Sequence, residues 1–164
     1  MAITGSELFN IDTGILQKDA FIVIVRTEWN SDIVDKLEAG CRNILDKYEM
    51  TNYRVINVPG AFEIPFAIKY CWENMTGKPN VFIALGCVLR GDTPHFDYVC
   101  KAVTDGVGQL NLSLPVPTIF GILTVDNDLQ ADDRTGGKHG NKGEEAAVSA
   151  LKMIIMQGSI FKKK

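Results

Sequence analysis

Four short apolar runs, separated by stretches with helical periodicity, constrain the fold of this chain more than any other feature. The runs are FIVIVR (21–26), YRVINV (53–58), VFIALGCVL (81–89) and VPTIFGILT (116–124). Their nearly continuous apolar character is typical of strands covered on both faces, as in a parallel sheet. Alternation of strand and helix predicts right-handed βαβ units, and hence an α/β domain whose parallel sheet has helices on both sides.

The stretches between the runs carry the spacing of amphipathic helices. In 31–48, apolar residues recur at intervals of three and four and define one buried face. Residues 63–75 and 95–111 show a similar pattern. After the fourth run come a short acidic helical stretch, DNDLQADDR, and a longer helix over 142–157.

The composition is that of a soluble globular protein. With 164 residues, of which 46% are hydrophobic and 23% charged, the chain fits a single domain over 1–164. Residues 1–15 are predicted to form a loosely held N-terminal arm. The formal charge of −3 argues against nucleic-acid binding, because nucleic-acid binders normally present a basic face.

Three further features predict a cytoplasmic location without membrane association. The N-terminal segment MAITGSELFN lacks the basic region and apolar stretch of a signal peptide. No apolar run approaches the ~18 residues of a membrane-spanning helix. The four cysteines lie in apolar segments without a C-x-x-C pair, which predicts reduced core thiols: Cys41, Cys71, Cys87 and Cys100.

Polar and aromatic residues follow the first two predicted strands, at the carboxyl ends where an open α/β sheet forms its ligand crevice. Trp29 is either a platform for stacking a ring or an aromatic side chain covering the edge of the core. Asn30 stands where it can cap the following helix. Glu63 falls in the first turn of the next helix, where the helix dipole favours a carboxylate in any case. None of the three establishes a site by itself.

The stretch GCVLRGDTPHFDYV (86–99), which ends the third strand, is a more concentrated signal. Thr93 suits the N-cap and Pro94 the first helical position, so that His95 falls in the first turn. There the helix dipole disfavours imidazolium and favours a neutral ring that can accept a proton. The pattern is equally compatible with a catalytic histidine and with a surface histidine beside a helix cap.

The second concentrated signal is DRTGGKHGNKGEE (133–145), which leads into the last helix. Arg134, Lys138 and Lys142 stand among four glycines. Cations, flexible glycines and a helix N-terminus together predict an anion site, the alternative being a solvated mobile loop. No Gly-Lys pair is followed by Ser or Thr as a P-loop requires, and no Cys/His cluster has metal-ligand spacing. The residues alone therefore predict an enzyme that acts on a phosphorylated small molecule and a ring.

The segments PGAFEIP, GCVLRGDTPHFDYV, PTIFGILT and DRTGGKHGNKGEEAA, in this order at strand ends, resemble the lumazine synthase family. The similarity extends from Phe21 to Met156. It implies a flavodoxin-like three-layer α/β/α sandwich with a four-stranded parallel sheet. It also implies the condensation of 5-amino-6-(D-ribitylamino)uracil with 3,4-dihydroxy-2-butanone 4-phosphate to 6,7-dimethyl-8-ribityllumazine, the penultimate step of riboflavin biosynthesis, without metal or cofactor.

The resemblance implies a role for each matched residue. His95 would be the acid and base that moves protons during the reaction. Arg134 would hold the phosphate, helped by backbone N–H groups around Gly91, Asp92 and Thr93. Trp29 would stack on the pyrimidine ring. The remaining contacts to ribityl hydroxyls, ring carbonyls and the ring edge would come from Asn30, Gly60, Ala61, Phe62, Glu63, Val88, Leu89 and Lys142.

Two positions bear on partners and ligands. Phe120 matches an aromatic residue that the family contributes across a subunit boundary, which implies a homopentamer, or a pentamer-based shell, with active sites between neighbours. Trp29 stands where the family more commonly carries phenylalanine. Because a wider ring stacks more strongly on flat heterocycles, we expect this chain to bind riboflavin or the lumazine product.

Two alternatives stay open at this point. A non-catalytic flavin-binding or shell-forming protein would keep the fold without turnover, but it would need neither His95 nor Arg134. The riboflavin synthase of archaeal type shares the fold and handles two lumazines. That enzyme would not need the phosphate pocket that Arg134 and the GGKHGNKG segment predict.

Overall fold

The four apolar runs form one parallel sheet in the computed structural model, which describes residues 9–160. All pairings in this sheet are parallel, and the strand order is β2-β1-β3-β4. The strands are β1 (Ile22–Thr27), β2 (Tyr53–Val58), β3 (Val81–Leu89) and β4 (Thr118–Val125). The sequence-based prediction of a four-stranded parallel sheet is therefore confirmed.

Helices follow each strand, as the periodicity predicts. A single 3-10 turn over Ala61–Glu63 precedes the second helix, and a short antiparallel pair of strands precedes the last. The helices are α1 (Ser31–Lys47), α2 (Ile64–Asn74), α3 (His95–Ser113), α4 (Asp128–Asp132) and α5 (Lys142–Ile160). The short pair, β5 (Thr135–Gly137) and β6 (Gly140–Asn141), was not predicted.

Alternating side chains of the sheet pack against two helical layers. Ile22 and Ile24 of β1 join a core formed with α1 and α5. Val23 and Val25 point to the other face and join a core formed with α2 and α3. Residues 81–88 of β3 are buried throughout, as expected of the strand at the centre of a covered parallel sheet. The protein is thus a three-layer α/β/α sandwich.

The register of the sheet leaves the carboxyl end of β3 paired with a strand on one side only. Pairing of β1 with β3 ends at Arg26 and Leu85, whereas pairing of β3 with β4 continues to Leu89 and Val125. Because β1 itself ends at Thr27, residues 87–89 extend beyond the end of β1 with a strand partner on one side only. This step at the carboxyl edge of the sheet forms the wall of the cleft described below.

The predicted N-terminal arm, 1–15, lies partly outside the described residues, because these begin at Phe9. Ile11 is buried in the core beside α1, and the hydroxyl of Tyr48 donates a hydrogen bond of 3.0 Å to the carbonyl of Phe9. Between residues 9 and 160, none of the helices combines the length and apolar character that crossing a bilayer would take.

Candidate active site

A cleft of about 420 Å³ opens at the carboxyl ends of β1 and β3, on the side of the sheet covered by α3. Its walls combine aromatic, apolar and polar side chains from four separate segments of the chain. The lining residues are Thr27, Trp29, Asn30, Ala61, Phe62, Glu63, Cys87, Val88, Leu89, His95 and Val99. Most of the residues predicted for ring binding are therefore brought together here with His95.

Asn30 occupies the N-cap position of α1 but does not cap the helix with its side chain. Its backbone is left-handed, with φ 57° and ψ 42°, a conformation that asparagine adopts more readily than most residues. The side-chain amide instead donates a hydrogen bond of 2.9 Å to the carbonyl of Cys87. Because Cys87 lies beyond the end of β1, no backbone N–H of β1 can reach its carbonyl. The amide of Asn30 donates the hydrogen bond that a neighbouring strand would otherwise supply.

Trp29 is held at one edge of its ring and is otherwise open to solvent. Its backbone N–H donates to the carbonyl of Pro59 at 3.1 Å, and the hydroxyl of Thr27 donates to its carbonyl at 3.2 Å. The indole lies against Gly60, where an added Cβ would stand only 2.7 Å from the ring. The side chain is nevertheless 66% exposed. Gly60 thus lets the indole lie close to the turn while one broad face stays available for stacking.

Glu63 closes the turn that follows β2. One oxygen of its carboxylate accepts a hydrogen bond of 3.1 Å from the N–H of Gly60. The adjacent Phe62 is 61% exposed and, with Trp29, forms an aromatic rim of the cleft. Backbone and side chain together fix a carboxylate at the mouth of a mostly apolar cavity, where it can accept from ligand hydroxyls.

His95 is the first residue of α3 and lines the cleft. Pro94 occupies the N-cap position in place of the predicted Thr93, so α3 begins one residue later than the sequence predicts, and the hydroxyl oxygen of Thr93 accepts from the N–H of His95 at 3.4 Å. The imidazole is exposed. Gly91 and Asp92, also exposed, lead from β3 into this turn. The histidine therefore stands where a substrate in the cleft could exchange protons with it.

Arg134, Lys142 and Phe120 do not line this cleft. They line a separate groove of about 320 Å³ between β4 and α5, on the other face of the sheet. The two cavities have no lining residue in common. A single chain therefore brings His95 together with the ring-binding residues, but places Arg134 and Lys142 elsewhere.

The groove beside β4 carries the positive charge that the cleft lacks. Arg134 donates a hydrogen bond of 2.9 Å to the carbonyl of Gln130, and Lys142 forms an ion pair of 2.5 Å with Glu145. Phe120 projects from the edge strand and is 41% exposed. Two cations and an aromatic ring thus share one surface, with one carboxylate to balance them.

The glycine-rich segment before α5 is a packing motif as well as a source of cations. The side-chain oxygen of Asn141 accepts from the N–H of Gly143 at 2.8 Å, and its amide donates to the carbonyl of Lys36 at 3.0 Å. A Cβ at Gly143 would lie 1.8 Å from the carbonyl oxygen of Leu37. The start of α5 is therefore docked directly on α1. Because Asn141 caps this helix, the cations and not the helix N-terminus are available to an anion.

Three lining residues of the cleft were not identified from the sequence. Thr27 ends β1, Cys87 lies near the end of β3, and Val99 stands one turn after His95 on α3. The position at or near a strand end could have indicated Thr27 and Cys87, and the helical spacing of four residues from His95 could have indicated Val99. Burial raises the pKa of the Cys87 thiol to about 11, so that it stays protonated at neutral pH. His95 and Glu63 are the other titratable side chains of the lining, and the carboxylate of Glu63 is already bound to the N–H of Gly60, which leaves His95 as the group suited to proton exchange.

Comparison with known proteins gives a consistent result. The profile of the protein family described as 6,7-dimethyl-8-ribityllumazine synthase matches residues 19–157. A protein of that name from Parabacteroides distasonis is 51% identical over 135 residues, covering 81% of this chain and 83% of the relative. Its namesake in Porphyromonas gingivalis is 50% identical over 142 residues, covering 85% and 87% of the two chains. One from Flavobacterium psychrophilum is 40% identical over 161 residues, covering 96% and 84%.

Proposed function

The chain belongs to the 6,7-dimethyl-8-ribityllumazine synthase family, and from this premise we propose which of its residues carry out the reaction. The protein is a transferase that condenses 5-amino-6-(D-ribitylamino)uracil with 3,4-dihydroxy-2-butanone 4-phosphate to 6,7-dimethyl-8-ribityllumazine, the penultimate step of riboflavin biosynthesis. The family match over residues 19–157 carries this assignment.

A direct assay tests the activity. The purified protein is mixed with both substrates, and the lumazine product is followed by absorbance and fluorescence against a protein-free control. The control is needed because the condensation also proceeds slowly without an enzyme. We expect a rate well above the control, and a rate equal to the control would contradict the assignment.

His95 is the proton donor and acceptor in this proposal. The reaction consists of imine formation between the amine and the ketone, elimination of phosphate and closure of the ring, and each step moves protons. An exposed imidazole that lines the cleft at the first turn of α3 can accept and return those protons without a metal.

The cleft supplies the contacts to the ribitylaminouracil. The open face of Trp29 stacks on the pyrimidine ring, and the carboxylate of Glu63 accepts from ribityl hydroxyls. Val88 and Leu89 lie on the part of β3 that extends past β1, so their backbone groups can bind the ring edge. The other contacts come from Asn30, Gly60, Ala61 and Phe62, which line or support the same cavity.

The phosphate site is completed by a second copy of the chain in this proposal. The lining of the cleft contains no Lys or Arg among the described residues, although a phosphate ester requires a cation. Arg134, Lys142 and the exposed Phe120 lie together in the groove beside the edge strand β4. A neighbouring subunit that places this groove against the cleft would bring Arg134 to the backbone N–H groups of residues 91–93. We propose that the assembly is a homopentamer or a pentamer-based shell.

Replacing Arg134 with alanine is expected to raise the KM for the butanone phosphate roughly 10–150-fold, since charged hydrogen bonds contribute about 1.5–3 kcal/mol. The KM for the ribitylaminouracil should change little. Steady-state kinetics with each substrate varied in turn measure both values. Lys138→Ala is the matched control, because Lys138 is an exposed cation of the same segment outside the groove. A KM unchanged in Arg134→Ala would refute the phosphate assignment.

The same variant tests whether the site is shared between subunits. His95→Ala and Arg134→Ala subunits are each expected to be slow alone, but activity should reappear when the two are co-expressed and co-assembled. Recovery follows because some interfaces then pair an intact His95 with an intact Arg134. If both residues acted within one chain, every subunit of the mixture would lack one of them and no activity would return.

Riboflavin binding through Trp29 is a further part of the proposal. Titration with riboflavin is expected to quench tryptophan fluorescence, and Trp29→Ala should weaken binding by roughly 5–150-fold, corresponding to about 1–3 kcal/mol of stacking. Trp72→Phe is the control, because the only other tryptophan is half-buried against the α2 core and has Lys78 over its ring at 5.3 Å. Unchanged fluorescence in the wild type would contradict this part of the proposal.

The thiols of Cys41, Cys71, Cys87 and Cys100 are free, which fits a reducing compartment, and we propose a cytoplasmic location. We also propose that residues 1–164 form one domain, of which the family match covers 19–157.

A further inference from the structure

Arg90 is the first residue after β3, and its backbone is fixed on the sheet. Its N–H donates a hydrogen bond of 2.9 Å to the carbonyl of Val125 at the end of β4. From this position the side chain spans the gap between the end of β4 and the first turn of α3. The guanidinium therefore starts from a rigid support, five residues before His95 in the chain.

On one side, the guanidinium is attached to the loop after β4. Its Nε donates to the carboxylate of Asp126 at 2.7 Å. Asp126 is itself held, because its N–H donates to the side-chain oxygen of Gln130 at 3.0 Å. Arg90 holds the pKa of the Asp126 carboxyl below its ordinary value, so this partner stays ionised at neutral pH.

On the other side, the same guanidinium binds two residues in the first turn of α3. Its Nη2 donates to the carboxylate of Asp97 at 3.2 Å, and its central carbon lies 4.0 Å above the ring centroid of Phe96. Phe96 packs in turn against the core formed with α2 and α3. Both contacts fall on the two residues that follow His95.

Together these contacts tie His95 to the sheet. We infer that Arg90 is a positioning residue, which clamps Phe96 and Asp97 to the end of β4 and thereby holds the imidazole of His95 at a set place in the cleft. This inference rests on the proposed role of His95 in proton transfer. Arg90 does not line the cleft, so its effect on the reaction passes through the histidine.

The clamp has a distinct kinetic signature. A catalytic group that is displaced by about 1 Å can lose much of its rate contribution, and we expect Arg90→Ala to lower kcat about 10-fold. Riboflavin affinity should stay within about 2-fold of wild type, because the Trp29 platform is attached to Pro59 and Gly60 and not to α3. A general loss of folding would lower both quantities together.

A double-substitution cycle distinguishes positioning from an independent effect. In a His95→Ala background, Arg90→Ala should cause no further loss of kcat, because there is no imidazole left to place. A further loss of about 10-fold, equal to that in the wild-type background, would overturn the inference, and so would a wild-type kcat in Arg90→Ala. If His95→Ala alone had a wild-type kcat, the proposed role of His95 would fail instead, so the two failures are distinguishable.

Two more variants complete the test. Lys101→Ala is the control, since Lys101 is an exposed residue of the same helix whose ion pair, of 2.7 Å, is formed with Asp105 of that helix. It should leave kcat unchanged, and a loss equal to that of Arg90→Ala would overturn the inference.

If Arg90→Ala does not fold, Asp126→Asn removes one charge of the clamp while keeping an acceptor oxygen. It should reduce kcat in the wild-type background and not in His95→Ala, and any other pattern would contradict the clamp.

Discussion

Substitution of His95 by alanine is expected to lower kcat of the condensation by about 10²-fold, the lower end of what general acid–base catalysis contributes. The reason is that the cleft then lacks its imidazole, and neither Glu63, bound to the N–H of Gly60, nor the protonated thiol of Cys87 is placed to replace it. Riboflavin affinity should remain close to wild type, because Trp29 keeps its stacking face. Single-turnover rates and a riboflavin titration measure the two effects separately.

The matched control for this substitution is His139→Ala. His139 is the only other histidine, and it belongs to the segment between β5 and β6 outside both cavities. Its removal should leave kcat unchanged. Equal losses in both variants would point to a general effect of losing a histidine, and a wild-type rate in His95→Ala would leave that residue as a neighbour of a helix cap.

Substitution of Gly143 by alanine is expected to destabilise the fold by about 3 kcal/mol, at the upper end of the cost of overpacking. The added methyl would meet the backbone oxygen of Leu37 at 1.8 Å, and a backbone group cannot move aside as a flexible side chain can. Relief would require α5 to move away from α1, which would disturb the core between them. In a thermal scan the midpoint should fall by roughly 6–12 °C.

Gly108→Ala is the control for Gly143→Ala. Gly108 lies on the exposed side of α3, and a Cβ there would meet no atom within 4 Å. Alanine favours the helical conformation over glycine by about 0.5–1 kcal/mol, so this variant should be slightly more stable than wild type. A midpoint for Gly143→Ala as high as that of Gly108→Ala would show that the contact with Leu37 can be relieved.

The core elements of the fold are predictable because their signals are local. The apolar run of β3 and the three-and-four spacing of α1 each follow from the period of one backbone conformation, and both elements form where predicted. Short elements are less predictable, because a few residues carry too little periodicity. The pair β5 and β6, with Gly136 and Gly140 at positive φ, could not be separated from a mobile loop.

Three residues show where local patterns mislead. Asn30 has the sequence signature of a helix cap, yet its amide binds the carbonyl of Cys87. Gly143 stands in a segment that resembles a flexible anion loop, yet it is the point where α5 meets α1. Arg90 precedes the helix of His95, and the sequence does not indicate its ion pair with Asp126, because Asp126 follows a different strand. In each case the deciding contact comes from a residue distant in the chain.

The order of apolar runs and polar segments along the chain is enough to predict which chemical groups stand at which strand ends. This follows because alternating strands and helices place every carboxyl strand end at one edge of a parallel sheet. No local pattern predicts that Trp29, Glu63 and His95 share one cleft while Arg134 and Lys142 line another groove; this division is visible in the fold alone. It arises because α3 and α5 cover opposite faces of the sheet, and the face that a helix covers depends on packing between distant segments.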